Sequence, residues 1–384
     1  VLRTSTKARL VVETAANAYD PALMQLDLHS PLRLGPLELP NRVFMAPLTR
    51  CRAGVEHLPN ALMAEYYAQR ASAGLIIAEA TMIVEGNSAF HSEPGVHSAE
   101  QVAGWKLVTE AVHRQGGRIF LQLWHGGRAC HPAFNDGAGT VAPSTVAIRG
   151  FEVHTPSGKV AHVVPRELAD AELPGIVAAF AQAARNAREA GFDGVEIHGA
   201  NGYLLDQFLR SGSNQRVGPY GGSVANRCRL LLEVVDAVSA AWSADRVGLR
   251  LSPLNSYNDM QDADPVGLAT HLADALSPRG LAYLHLMRGD FLGRQQGDVL
   301  GAVRARHQGV LVANMGYTAA EANAAIGAGQ VDAVAFGTSF LANPDLPARL
   351  SRGVALNAPD PATFYTPGPR GYVDYPAMAT TAGA

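Results

Sequence analysis

From residue 41 onward, short apolar runs rich in β-branched residues alternate with stretches whose apolar positions recur every three or four residues. That alternation is the signature of βαβ units around a parallel sheet. It predicts strands near 42–46, 75–81, 118–124, 193–198, 247–251, 281–287, 309–313 and 332–336. Helical patterns near 60–73, 99–114, 171–190, 223–241, 265–277, 298–307, 318–328 and 344–352 fill the gaps. Eight such pairs over about 310 residues suit a single closed α/β structure, the (β/α)8 TIM barrel. An open doubly wound sheet fits less well, since its first strand-to-helix turn carries a glycine fingerprint. Neither Gly-x-Gly-x-x-Gly nor Gly-x4-Gly-Lys-Ser/Thr occurs.

Two features fall outside the repeat. Leu32-Arg-Leu-Gly35-Pro36-Leu-Glu-Leu39 reads as two short alternating strands around a Gly-Pro turn, a β-hairpin cap expected to plug the barrel bottom. The connection after strand three, residues 125–170, has no helical pattern, and Phe151 to Val164 reads as a hairpin turning at Pro156-Ser157-Gly158. Loops of that length are usually lids or binding elements. The expected organisation is a loosely ordered extension over 1–26, the barrel over 27–376 and a tail over 377–384.

Composition narrows the partners. Formal net charge is -3 and no stretch gathers five or six like charges, which disfavours a nucleic-acid arm or polybasic membrane patch. Small molecules are the expected partners, with the protein a monomer or homodimer. Cys51, Cys130 and Cys228 are widely spaced with no Cys-x-x-Cys, against a disulfide framework or cysteine-ligated metal. Apolar runs such as Gly191 to Ile197 are broken well before the ~18 residues a bilayer span needs. His125, His131, His154 and His162 lack metal-ligand spacing, so no metal is expected. A reducing, cytoplasmic setting fits best, with an organelle-targeting role for residues 1–26 left open.

The chemistry is concentrated at predicted strand ends, where barrel active sites lie. His198-Gly-Ala-Asn201-Gly-Tyr203 follows a nearly all-apolar strand, Gly194-Val-Glu-Ile197. A histidine and an asparagine three residues apart can aim two N–H donors at one carbonyl oxygen. A tyrosine with an ordinary pKa of ~10 stays protonated at neutral pH and can act as general acid. The alternative is a turn-closing histidine and asparagine with a core tyrosine.

Five collinear segments carry a resemblance. Ala46-Pro-Leu-Thr49-Arg50, Gln122-Leu-Trp124-His-Gly-Gly-Arg128, His198 to Tyr203, Tyr220-Gly-Gly-Ser223 with Asn226-Arg227, and Ala342-Asn-Pro-Asp-Leu346 resemble the Old Yellow Enzyme family from about Leu28 to Pro376. The resemblance implies non-covalent FMN, reduced by NADPH or NADH, and hydride transfer from flavin N5 to an electron-poor alkene in a ping-pong cycle. His198 and Asn201 would hold the substrate carbonyl while Tyr203 protonates the α-carbon. Pro47, Leu48, Thr49, Ala80 and Gln122 would contact the flavin ring, and Arg250 would face its N1 and O2. Asn314, Met315 and Gly316 with Gly337 and Thr338 would cradle the phosphate. Trp124 and Tyr365 would shape the substrate pocket, with a core tryptophan the alternative for Trp124. Threonine at 49 matches the classical branch, in contrast to the cysteine of the thermophilic-like branch.

Departures from the family pattern bear on the phosphate. Many members carry arginine directly after the strand-eight glycine, where this chain has Thr338, a hydroxyl that cannot neutralise a dianion. Val217-Gly-Pro219 replaces the usual Thr-Asp-Glu ahead of Tyr220. Two rival readings are a flavin-free barrel lyase or isomerase acting on a phosphorylated substrate and a non-catalytic flavin-binding protein.

Overall fold

The computed structural model describes residues 26–155 and 157–379. Eight parallel strands close into a barrel: β1 Val43–Met45, β2 Leu75–Met82, β3 Ile119–Trp124, β4 Gly194–Gly199, β5 Val247–Leu251, β6 Tyr283–Met287, β7 Leu311–Asn314 and β8 Ala333–Phe336. Every predicted strand is present, and β8 pairs with β1 to complete the ring. The outer layer is α1 Ala61–Ala68, α2 Ala99–Arg114, α3 Leu173–Glu189, α4 Val224–Ala241, α5 Pro265–Leu276, α6 Val299–Arg304, α7 Ala319–Gly327 and α8 Leu346–Arg352. Local signals set several starts. Ser98 and Gln101 form a capping box on α2, Ser223 caps α4, and Asp264 caps α5 ahead of Pro265.

α1 is shorter than its apolar pattern suggests. After Ala68 the chain tightens into three-residue turns, while the Arg70 side chain turns inward to donate to the carbonyls of Tyr66, Phe340 and Leu341. Two short helices absent from the sequence pattern, Leu204–Leu209 and Thr338–Ala342, follow β4 and β8.

Inside the barrel, side chains stack in layers, as strand alternation requires. The lowest is apolar: Phe44, Leu75, Ile77, Phe120, Tyr283, Val312 and Ala333 pack against Leu32, Leu34, Leu37 and Leu39 of the antiparallel hairpin Leu32–Leu34/Leu37–Leu39. Gly194 and Gly248 make room in this layer. A Cβ at either would fall 2.4 Å from the Phe120 ring or 2.2 Å from the Tyr283 ring. Above it lies an unusual polar layer of Gln122, Glu196, Arg250, His285 and Asn314, all buried. In β2 the register slips between Ala78 and Thr81. Leu75 and Ile77 therefore face inward below that bulge, and Ala80 and Met82 face the mouth above it.

The segment between β3 and α3 contains only 3-10 turns (Gly127–Ala129, Pro132–Phe134), a parallel pair (Val141–Ala142 with Arg166–Glu167) and the hairpin Glu152–Thr155/Gly158–Ala161. The expected turn residue Pro156, all but Leu26 of the expected extension over 1–26, and residues 380–384 of the expected tail over 377–384 lie outside the described residues. Among the described residues no helix is long and apolar enough to cross a membrane.

Candidate active site

A cavity of about 540 Å³ opens over the C-terminal ends of the strands. Its size falls inside the range of roughly 300–1,000 Å³ typical of small-molecule sites. Pro47, Leu48 and Thr49 reach it from the end of β1, Ala80 from β2, Gln122 from β3 and His198 from β4. Asn201 and Tyr203 come from the turn after β4, Arg250 from β5, and Asn314, Met315 and Gly316 from the end of β7. Gly337 and Thr338 follow β8, and Tyr365 arrives from the C-terminal segment.

Trp124 stands apart from this set. It is fully buried and lines neither this cavity nor its neighbour. Ala129, Ile148 and Tyr203 pack over it, with the Tyr203 ring edge-on at 5.1 Å between centroids. Trp124 therefore packs directly behind Tyr203.

The hydrogen bonds of His198 and Asn201 fix what each can offer. The backbone N–H of Ala200 donates to His198 Nδ1 at 3.3 Å, so in the neutral ring the proton sits on Nε2. Burial, reinforced by the positive charge of Arg250, holds the His198 pKa well below 6.5 and keeps the ring neutral. Asn201 has left-handed backbone, φ 57°, with its N–H donating to Ser252 Oγ at 2.7 Å. Its Oδ1 accepts from Asn255 Nδ2 at 2.9 Å, so its own Nδ2 remains the group to donate into the cavity. Tyr203 stands edge-on to His198 at 5.1 Å between centroids. Burial, helped by Tyr257 and Tyr365, pushes its pKa well above 10, so it stays protonated. Two neutral N–H donors and one phenol are thus held side by side.

Beneath them, Arg250 Nη2 donates to Asn314 Oδ1 at 3.1 Å, and Asn314 Nδ2 donates to the Ala335 carbonyl at 2.6 Å. Arg250 Nη1 faces His285 Nε2 at 3.5 Å. Gln122 Nε2 donates to Glu196 Oε1 at 2.7 Å. Glu196, His285 and Asn255 were not singled out in the sequence. The available signal was parity: Glu196 lies two residues before His198 on one strand and so shares its inward face, where a charge needs a partner.

Around the β7 and β8 ends, Met315 (φ 91°) and Gly316 (φ 71°) turn the backbone sharply in a conformation rare for non-glycine residues. Arg288 braces this turn, its Nε donating to the Met315 carbonyl at 2.9 Å. Its Nη2 lies 4.0 Å from where a Cβ on Gly316 would stand.

A second cavity of about 650 Å³ shares Phe90, Tyr203, Tyr257 and Tyr365 with the first. Its far walls come from the 151–162 hairpin and residues 361–366. Arg50 and Arg52 fasten that C-terminal segment: both donate to the Phe364 carbonyl, at 3.0 and 2.9 Å, and Arg52 also donates to Thr363. Tyr365 follows directly and stacks on Phe90 with ring centroids 5.8 Å apart. Ahead of Tyr220, Arg216 pairs with Asp170 and with Glu167, while Val217 is exposed.

The donor set suits a flavin. Arg250 is buried in the cavity floor with its Nε unpartnered among the described residues. A fixed cation there matches the charge that gathers at N1 of reduced flavin. A sharp backbone turn lies across the same cavity for a phosphate.

Closed barrel, flavin-sized mouth and buried arginine define an FMN-dependent oxidoreductase of the TIM-barrel class. More particularly, the chain belongs to the Old Yellow Enzyme family: the model of the NADH:flavin oxidoreductase / NADH oxidase family matches residues 27–357. A probable flavin mononucleotide-dependent alkene reductase from Leishmania infantum is 51% identical, over 91% of this chain and 96% of the relative. A putative 12-oxophytodienoate reductase 2 from Oryza sativa subsp. japonica is 42% identical over 94% of this chain and 96% of its own length. Among solved structures, morphinone reductase superposes with a TM-score of 0.90 at 46% identity, covering 94% of this chain and 98% of the neighbour. The old yellow enzyme from Trypanosoma cruzi gives 0.89 at 45% identity, covering 92% and 99%. The protein is an NAD(P)H-dependent flavin oxidoreductase, and the flavin-free and non-catalytic alternatives are set aside.

Proposed function

We propose that the protein reduces the C=C bond of alkenes activated by a carbonyl or nitro group, in a ping-pong cycle with NAD(P)H. When bound, FMN supplies the hydride relay at N5 between nicotinamide and alkene. Thr49, Ala80 and Gln122 would hold the ring edge, Arg250 the N1 and O2 side, and the Asn314–Gly316 and Gly337–Thr338 turns the phosphate. Arg288, whose Nε donates to the Met315 carbonyl and whose Nη1 pairs with Glu321, would offer a cation beside that turn in place of the missing strand-eight arginine.

The observation that carries this reading is that His198 and Asn201, each with an N–H left free to donate, line one cavity together with Tyr203. Both donors are neutral and fixed by their own partners, so they can bind a carbonyl oxygen and stabilise the negative charge that grows there. That draws electron density from the β-carbon, where hydride arrives. Tyr203 then gives its proton to the α-carbon, which balances the reduction. With one barrel mouth available, nicotinamide and alkene take turns in the same cavity.

The double cavity and its shared aromatic wall leave room for substrates of the cyclic enone, maleimide, nitroalkene or oxylipin-enone type that the family resemblance implies, and relatives named as alkene, 12-oxophytodienoate and morphinone reductases favour an activated alkene. An anaerobic absorbance titration of the flavin-loaded protein with NADPH, followed by cyclohexenone, tests the proposal. Bleaching by NADPH and recovery of the oxidised spectrum on adding the enone are expected. Bleaching without recovery would refute the alkene-reductase step.

A further inference from the structure

Glu196 is an isolated puzzle in a barrel interior: a fully buried carboxylate on β4, one layer below His198. Its two oxygens are both engaged. Oε1 accepts from Gln122 Nε2 at 2.7 Å, and Oε2 pairs with His285 Nδ1 at 2.8 Å. A carboxylate at Nδ1 fixes the tautomer of His285: Nδ1 carries the proton, leaving the Nε2 lone pair to face Arg250 Nη1 at 3.5 Å. Burial and the adjacent Arg250 lower the His285 pKa and keep the ring neutral. Burial alone would raise the Glu196 pKa, but His285, Arg250 and Gln122 together hold it below the usual carboxylate range. The floor of the cavity therefore holds one cation, one anion and a neutral imidazole between them. Gln122 and Arg250, which both reach the cavity, are tied to this pair.

We infer that Glu196, acting through His285 and Gln122, is a positioning residue that sets the reduction potential of the bound flavin. The inference rests on the reading that flavin lies over Gln122 and Arg250. The carboxylate offsets part of the charge that Arg250 presents to the ring, and an anionic reduced flavin is stabilised less than it would be over an unopposed arginine. By accepting from Gln122 Nε2, Glu196 also fixes the amide orientation of Gln122, which lines the cavity.

The test is the two-electron midpoint potential of FMN in the holoprotein, measured by anaerobic dye equilibration. Glu196→Gln keeps the shape and removes the charge. It should favour reduction by roughly tenfold, an upward shift of about 30 mV for a two-electron couple. Glu196→Asp restores the charge and should bring the potential back toward the parent. His285→Leu takes away the imidazole, leaving the desolvated carboxyl to take up a proton, and should shift the potential in the same upward direction. It serves as the second probe where Glu196→Gln fails to fold.

A Glu196→Gln or His285→Leu holoprotein with the parent's potential overturns the inference, because a merely structural role would change melting temperature alone. A Glu196→Asp protein no closer to the parent than Glu196→Gln also overturns it. A parent that takes up no FMN from excess would overturn the functional reading itself, a result distinct from an unmoved potential.

Discussion

Asn255 lines neither cavity, yet its Nδ2–H is the contact that orients the Asn201 amide, which makes it a clean probe of the carbonyl clamp. Replacing it with leucine preserves bulk and removes the donor. A ligand oxygen would still recruit Asn201 Nδ2, but Asn201 Oδ1, half-buried and then covered by the ligand, would be left with no partner. An unpaired buried acceptor costs about 1–3 kcal/mol, and at the lower end ligand affinity should fall about fivefold. Removing the clamp itself is worth more. Asn201→Ala deletes a hydrogen bond to a partly anionic oxygen, about 1.5–3 kcal/mol, or roughly 10- to 150-fold in Kd.

The decisive measurement is a double-mutant cycle on the affinity of a para-substituted phenol, followed by its perturbation of the flavin absorbance. If Asn255 acts through Asn201 alone, Asn255→Leu costs about fivefold in the parent and nothing in the Asn201→Ala background, a coupling of about 1 kcal/mol. Fully additive losses would mean that Asn255 acts elsewhere, for instance through its longer contacts with the N–H groups of Tyr257 and Phe291. An unchanged Kd in the single variant would mean that Asn201 is not oriented from behind at all.

Three further outcomes are expected. Tyr203→Phe should slow alkene reduction by about 10²- to 10⁴-fold in single-turnover experiments while flavin reduction by NADPH is spared, and an unchanged oxidative rate would remove Tyr203 as the acid. Thr338→Arg should slow FMN loss during dialysis and Arg288→Ala should hasten it; equal retention in all three proteins would show that phosphate charge is not limiting. Burial raises the Glu79 carboxyl to about 7, against the N–H of Arg50 and the hydroxyl of Tyr67. Its unfolded value is near 4.5, so the folded state keeps the proton longer, and that stability is present in full below about pH 4.5 and lost as pH rises toward 7. Glu79→Gln should flatten the fall in melting temperature over that window, and a parallel pH profile in both proteins would refute the assignment.

How much of this was legible in the sequence follows from where each signal lives. The eight strands announce themselves because both faces are covered, giving apolar runs such as Leu75–Met82 and Leu311–Asn314. The candidate donors were legible because they stand at strand ends in recognisable order. The bulge in β2 was not, since an extra residue in an apolar run leaves no mark on composition. Trp124 left both readings, pocket and core, open for a related reason. Its inward parity is correct, but whether an inward side chain meets solvent depends on what folds over it, and here residues after β3 and Tyr203 do so. Glu196 and His285 escaped because the partner each needs lies on a different strand, far away in sequence. Only barrel closure places β4 and β6 so that the two side chains meet.

The placement of these groups also separates two demands on the molecule. Gln122, Glu196, Arg250, His285 and Asn314 stand on barrel strands and bond to one another, so their geometry is held within the tolerance of a packed core. Tyr257, Tyr365, Phe90 and the 151–162 hairpin reach the neighbouring cavity from loops and from a C-terminal segment fastened by Arg50 and Arg52. Loop substitutions there leave the barrel ladder untouched, so they can reshape the wall against which an alkene lies with little effect on the floor beneath it. Changing the floor is different: substituting Glu196 strands His285 and Gln122 together, and each is bonded to or faces a group at the cavity. The potential of the cofactor and the choice of alkene should therefore respond to separate sets of residues. Variants at Tyr365 should alter which enones are reduced without moving the flavin potential, whereas variants at Glu196 should move the potential for every enone alike.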